Sequence, residues 1–219
     1  MSIPRLIIGN KNYSSWSLRA WLLMKQSGIQ FEEQRVSLYT DSGKAEIMRH
    51  SPSGKVPVLE DNGLVIWDSL AICEYLAERH PNKGLWPEEK TARSFARSIS
   101  AEMHSGFPSL RSNMPMNCRG SFPGRGMAPG VAADIARIAE IWNECRSRFG
   151  AGGPMLFGRF TIADAMYAPV VLRFSIYGVD ADPVTAGYMD TIQSLPALRE
   201  WCDAARAETE ILPQFEKYS

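Results

Sequence analysis

Ser51-Pro52-Ser53-Gly54-Lys55-Val56-Pro57-Val58-Leu59-Glu60-Asp61-Asn62-Gly63-Leu64-Val65-Ile66-Trp67 carries two short apolar runs, Val58-Leu59 and Leu64 to Trp67, on either side of Asp61-Asn62-Gly63. Asn-Gly between apolar runs signals a tight hairpin, so two antiparallel strands are predicted here. Upstream, Leu6-Ile7-Ile8 reads as a short buried strand and Gly9-Asn10-Lys11-Asn12 as a turn. Trp16 to Ser27 has a helical pattern, and Gly28 sits where a helix stops. Phe31 to Leu38 alternates like a strand, and the intervening helix makes a βαβ crossover with the first strand. Lys44 to Arg49 is a short helix. Downstream, Leu70, Cys73, Leu76 and Ala77 share one helical face before Pro81 ends it, and Asp68 or Ser69 caps its start. The order is βαβαββα within about eighty residues.

The junction after the first strand is Tyr13-Ser14-Ser15-Trp16-Ser17-Leu18-Arg19. It sets hydroxyl groups beside a helix N-terminus, where unpaired N–H groups and the helix dipole favour an anion. By itself the segment reads first as a serine N-cap.

Composition bounds the function. The chain has 219 residues, 45% hydrophobic and 22% charged, an ordinary globular balance with room for two small domains. Lys+Arg and Asp+Glu are 24 each, so no broad electrostatic grip on nucleic acid or on anionic membranes is expected. No apolar run nears the roughly 20 residues that span a bilayer, and no signal peptide is expected. Cys73, Cys118, Cys145 and Cys202 are scattered, without a Cys-x-x-Cys, which fits a reduced cytoplasmic setting. His50, His80 and His104 lack metal-ligand spacing, so no metal site is expected.

The Pro/Gly-rich stretch 81–88 reads as a linker between a first domain, 1–80, and an all-helical second domain, 89–219. Helices are predicted over Thr91 to Phe107, Pro129 to Phe149, and Ser194 to Ala207. Thr161 and Asp164 make a capping box, which is folding chemistry rather than catalysis. Met103, His104, Phe107, Arg111 and Met114 fall where Gly106, Pro108 and Pro115 interrupt helix; they read equally as core or as a pocket wall. Gly120 to Gly130 is predicted as a mobile loop.

Three local motifs resemble those of cytosolic glutathione S-transferases. Ser51-Pro52-x-Gly54-Lys55-Val56-Pro57-x-Leu59 is similar to the family's Asn-Pro-x-Gly-x-Val-Pro-x-Leu segment. Asp68-Ser69-x-Ala71-Ile72 is similar to its acidic-Ser-x-Ala-Ile motif, and Thr161-Ile162-Ala163-Asp164 to its buried helical box. The resemblance spans about residues 5 to 205 and implies a thioredoxin-like α/β N-terminal domain followed by an all-α C-terminal domain. It implies a cis Val56–Pro57 bond that turns the Val56 backbone toward an extended peptide ligand. It implies glutathione as co-substrate, held by Ser14, Trp16, Lys55, Val56, Asp68 and Ser69, with Met103, His104, Phe107, Arg111 and Met114 on the acceptor side. Ser14-Ser15-x-Ser17-x-Arg19 resembles the Ser-Ser-Cys-Ser-x-Arg motif of the zeta class and, more loosely, the tau motif. There the first serine activates the sulfur, which points to Ser14, with Ser15 and Tyr13 as runners-up. The implied activity is thiolate attack on a small electrophile, as in detoxification, by a cytoplasmic homodimer. The alternatives are a glutathione-dependent cis-trans isomerase of the maleylacetoacetate type, which Trp16 in place of the zeta cysteine counts against, and a non-catalytic binding or regulatory protein.

Overall fold

The computed structural model describes residues 3–218. Its first half runs β1 (Arg5–Ile8), α1 (Ser15–Gln26), β2 (Glu32–Arg35), α2 (Asp41–His50), β3 (Val58–Asp61), β4 (Leu64–Trp67) and α3 (Ser69–Arg79), the order read from the sequence. The four strands lie in the order β2-β1-β3-β4. β1 pairs parallel with β2 and antiparallel with β3, which pairs antiparallel with β4. Asn62 and Gly63 turn the hairpin with positive φ at both residues, as an Asn-Gly turn requires. The second strand is shorter than predicted. Only Glu32 to Arg35 pairs, an entirely polar edge strand, while Phe31 and Leu38 pack beyond its ends.

A single 3-10 turn, Pro81–Lys83, leads to the helical half: α4 (Lys90–Ser105), α5 (Pro108–Asn113), α6 (Val131–Phe149), α7 (Ile162–Tyr177), α8 (Pro183–Ser194) and α9 (Pro196–Ala207). α7 is the centre of this half. Every residue of it except Ser175 is buried, so its sequence shows no polar face, which marks a core helix rather than a surface one. At its start Asp164, fully buried, accepts hydrogen bonds from the Thr161 N–H (2.8 Å), Thr161 Oγ1 (3.0 Å), Leu156 N–H (3.1 Å) and the Tyr188 hydroxyl (3.2 Å). Helix α1 packs against α7, α3 and α9, and one apolar cluster runs from Leu6 through Trp21 and Trp142 to Trp201. The two halves share this core, and the junction at the start of α1 lies against both. Among the described residues no helix is long and apolar enough to cross a membrane.

Candidate functional site

Strand register brings three chain segments to one end of the sheet's strands. Ile7 of β1 is opposite Val58 of β3, and Val58 is opposite Trp67 of β4. The chain leaves β1 toward Ser14, enters β3 from Pro57, and leaves β4 into Asp68 and Ser69, all at that end. The Val56–Pro57 bond is cis. Among the described residues the Val56 backbone makes no hydrogen bond, so both its N–H and its C=O are available to a peptide lying alongside.

The three candidate hydroxyls have different surroundings. Ser14 is the N-cap of α1: its Oγ accepts from the Ser17 N–H (3.3 Å) and donates to Ser17 Oγ (2.7 Å). Ser15 Oγ accepts from Arg173 Nη2 of α7 at 3.2 Å. Tyr13 is turned the other way. Its hydroxyl donates to Glu216, accepts from Arg119 Nη2 (2.6 Å) and the Leu212 N–H (3.3 Å), and its ring stacks on Phe215. Burial and Glu216 raise its pKa above the ordinary tyrosine value. Ser14 is therefore the hydroxyl of the three whose bonds stay within the helix start.

Asp68 is the N-cap of α3. Its Oδ1 accepts the Leu70 N–H (2.9 Å) and the Ala71 N–H (3.4 Å), and its φ is +76°. A positive φ at a non-glycine residue costs on the order of 1–3 kcal/mol and is a frequent mark of a functional site. Ser69 Oγ, beside it, is buried without a hydrogen-bond partner among the described residues, as is His104 Nδ1. His104 Nε2 lies 3.1 Å from Asp68 Oδ2. Burial, with help from Arg19 and Arg111, lowers the His104 pKa against the opposing pull of Asp68.

Trp16, 36% exposed, forms the floor of this cleft. The Arg19 guanidinium faces its ring at 4.3 Å, that of Arg111 at 5.0 Å, and His104 meets it edge-on at 5.2 Å. Arg19 is fully buried, and its three guanidinium nitrogens have no hydrogen-bond partner among the described residues. Burial and the nearby Arg111 and Arg173 charges pull its pKa well below the ordinary arginine value.

Of the residues expected on the acceptor side, His104 and Arg111 reach the cleft, with Arg111 also holding the Gly106 carbonyl (2.8 Å) at the end of α4. Met103, Phe107 and Met114 are buried in the shared core. Lys55 is exposed, its backbone N–H bonded to Ser51 Oγ at 3.4 Å. Sequence reasoning gave no role to Ser17, Arg19 or Arg173, although the first two stand in the Ser-Ser-x-Ser-x-Arg spacing. It also missed the segment after α9. There Glu208 accepts the Lys11 N–H (2.8 Å) and the Asn12 N–H (3.0 Å), and Glu210 accepts from Asn10 Nδ2 (2.6 Å). Arg119 joins this clasp by donating to the Glu208 and Glu210 carbonyls.

A thioredoxin-like sheet whose strand ends gather an N-cap serine, a cis-proline and an acidic-Ser helix start, set against an all-helical half, defines a glutathione transferase architecture. Comparison with known proteins agrees. The family model "Glutathione S-transferase, N-terminal domain" matches residues 13–79, and "Glutathione S-transferase, C-terminal domain" matches residues 128–204. The chain is 26% identical over 189 residues to a probable maleylacetoacetate isomerase of Caenorhabditis elegans, covering 84% of this chain and 85% of that protein. It is 28% identical over 173 residues to the maleylacetoacetate isomerase of Rattus norvegicus, covering 77% of each. A glutathione transferase homolog from Burkholderia, solved with bound glutathione, shares the fold with a TM-score of 0.71 at 21% identity, covering 94% of this chain and all of that one. A tau class enzyme from mango does so with a TM-score of 0.70 at 18% identity, covering 93% and 96%. The chain belongs to the glutathione S-transferase family.

Proposed function

We propose that the protein binds glutathione at this end of the strands and activates its thiol through Ser14 for attack on a small electrophile. The single observation that carries this reading is the position of the Ser14 hydroxyl at the N-terminus of α1, at the same end of the strands as the free Val56 backbone and the unpartnered Ser69 Oγ. The glutathione backbone pairs with Val56 as a short added strand. Ser69 and the first N–H groups of α3 take the γ-glutamyl carboxylate, and Asp68 takes its ammonium. Trp16 and Lys55 flank the peptide, and the acceptor enters between Trp16, His104 and Arg111.

A free thiol with pKa near 8.5 is only about 3% thiolate at pH 7. Lowering that value by two units takes roughly 2.7 kcal/mol. One charge-assisted hydrogen bond from Ser14 and the dipole of α1 together supply an amount of that size. The thiolate then attacks the electrophilic carbon, a C–S bond forms, and the leaving group departs with its electron pair. The working form is a cytoplasmic homodimer without a metal. The exposed apolar side chains Leu64, Val65 and Trp67 on the edge strand β4 favour a covered edge.

The curated relatives named as maleylacetoacetate isomerases favour a second reading, a glutathione-dependent cis-trans isomerase, in which the thiolate adds to the substrate and is released again. Titrating the thiolate absorbance of bound glutathione tests the common step. Ser14→Ala keeps glutathione bound and raises the thiol pKa by about two units; an unchanged titration removes Ser14 from the role. Turnover of a maleyl keto-acid with glutathione regenerated, compared with conjugate formation on an aryl halide, separates the two reactions.

A further inference from the structure

Ser17 Oγ ends a short chain of hydrogen bonds. The Gly9 N–H donates to it at 3.1 Å and the Ser14 hydroxyl donates to it at 2.7 Å. Ser17 is fully buried. Those two bonds occupy both lone pairs of its oxygen, and its own O–H donates to no acceptor among the described residues. Capping does not call for this arrangement, because the cap is complete with the Ser17 N–H on Ser14 Oγ. A second arrangement of the same groups would leave none unused. In it the Gly9 N–H still donates to Ser17 Oγ, the Ser17 hydroxyl donates to Ser14 Oγ, and the Ser14 O–H turns outward to an acceptor beyond the pair.

We propose that Ser17 is a positioning residue for thiol activation: when glutathione binds, the two hydroxyls reverse, and Ser17 holds Ser14 as a donor to the sulfur. The inference rests on the reading of Ser14 as the activating hydroxyl. Within the protein no covalent bond changes and only two O–H groups rotate; on glutathione the S–H bond breaks, its electron pair stays on sulfur and its proton passes to solvent water. Ser14 Oγ then accepts two bonds, from the Ser17 N–H and the Ser17 O–H, and each polarises its own O–H toward the sulfur. Ser17 is buried behind Ser14 and acts on the sulfur only through it.

Thiolate absorbance of enzyme-bound glutathione, titrated in four variants, tests this. Ser17→Ala raises the thiol pKa by about half a unit to one unit, with the glutathione dissociation constant within about twofold of wild type. Ser17→Thr, which keeps the hydroxyl, titrates like wild type. Ser17→Cys, nearly the same size with a weak donor, falls between wild type and Ser17→Ala and serves if the alanine variant does not fold. The Ser14→Ala/Ser17→Ala pair shifts no further than Ser14→Ala alone. A Ser17→Ala titration within about 0.2 unit of wild type while Ser14→Ala is shifted overturns the relay and spares the reading of Ser14, as does full additivity in the pair. An unshifted Ser14→Ala overturns both.

Discussion

Asp68 Oδ2 lies 3.1 Å from His104 Nε2, so a contact between one helix start and one helix end joins the two halves at the cleft. His104, near the end of α4, holds the far oxygen of the same carboxylate whose near oxygen caps α3. If Asp68 receives the glutathione ammonium, its orientation depends on this histidine. His104→Ala is expected to raise the glutathione KM about three- to tenfold at pH 7, the scale of one ordinary hydrogen bond, and to change kcat less. Steady-state kinetics with glutathione varied checks it; an unchanged KM would sink it.

Glu208 accepts two consecutive backbone N–H groups from the loop that leads into α1, and its side chain is 8% exposed. Glu208→Ala leaves both N–H groups buried and unpaired. The expected loss is about 2–4 kcal/mol of unfolding free energy in urea. Glu208→Gln keeps one acceptor and is expected to lose about half as much.

Arg19→Met addresses the unpartnered guanidinium under Trp16. Replacing a buried, unpaired charge by an apolar chain of similar length removes its desolvation cost, while the stacking on Trp16 is lost. The glutathione-free variant is expected to be as stable as wild type or up to about 3 kcal/mol more stable. A fall of more than about 1 kcal/mol would mean that Arg19 is paired in solution.

Burial pushes the Asp164 carboxyl up to about 6, although four hydrogen bonds pull it the other way. The ordinary value, 3.8, is lower, so between these two pH values the folded chain holds this proton more tightly than the unfolded one. Its contribution to stability is fully present below 3.8 and is lost as pH rises through 6. Asp164→Asn cannot titrate and turns an amide N–H toward one of the donors, which costs about 1–3 kcal/mol. The gap in melting temperature between wild type and Asp164→Asn is expected to narrow as pH rises from about 4 to about 7. A gap independent of pH would contradict the raised value.

What could be read in the sequence was local. The Asn62-Gly63 turn, the proline before β3, the Asp68-Ser69 start of α3 and the Thr161–Asp164 start of α7 each carry their cause within four residues. The strand over 31–38 was harder, because pairing stops where the polar edge Glu32–Arg35 ends and the apolar flanks go to different cores. No helix is predicted over α8, although Asp182 caps it and Pro183 opens it. Ser14 and Ser15 are neighbours with the same chemistry on paper. Only the packing of α7 on α1, which brings Arg173 to Ser15, tells them apart. The Glu208 clasp had no signal, since its partners are backbone N–H groups nearly two hundred positions away.

That clasp also sets an order of events in the cell. At about 5–20 residues per second, a ribosome needs roughly 10–40 s to travel from Lys11 to Glu208. Throughout that interval β1 and α1 are available to fold, but the Lys11 and Asn12 N–H groups wait for a carboxylate that has not been translated. The loop before Ser14 is thus among the first stretches made and among the last to be finished, so a ribosome-bound nascent chain can display a sheet before the start of α1 has its full support.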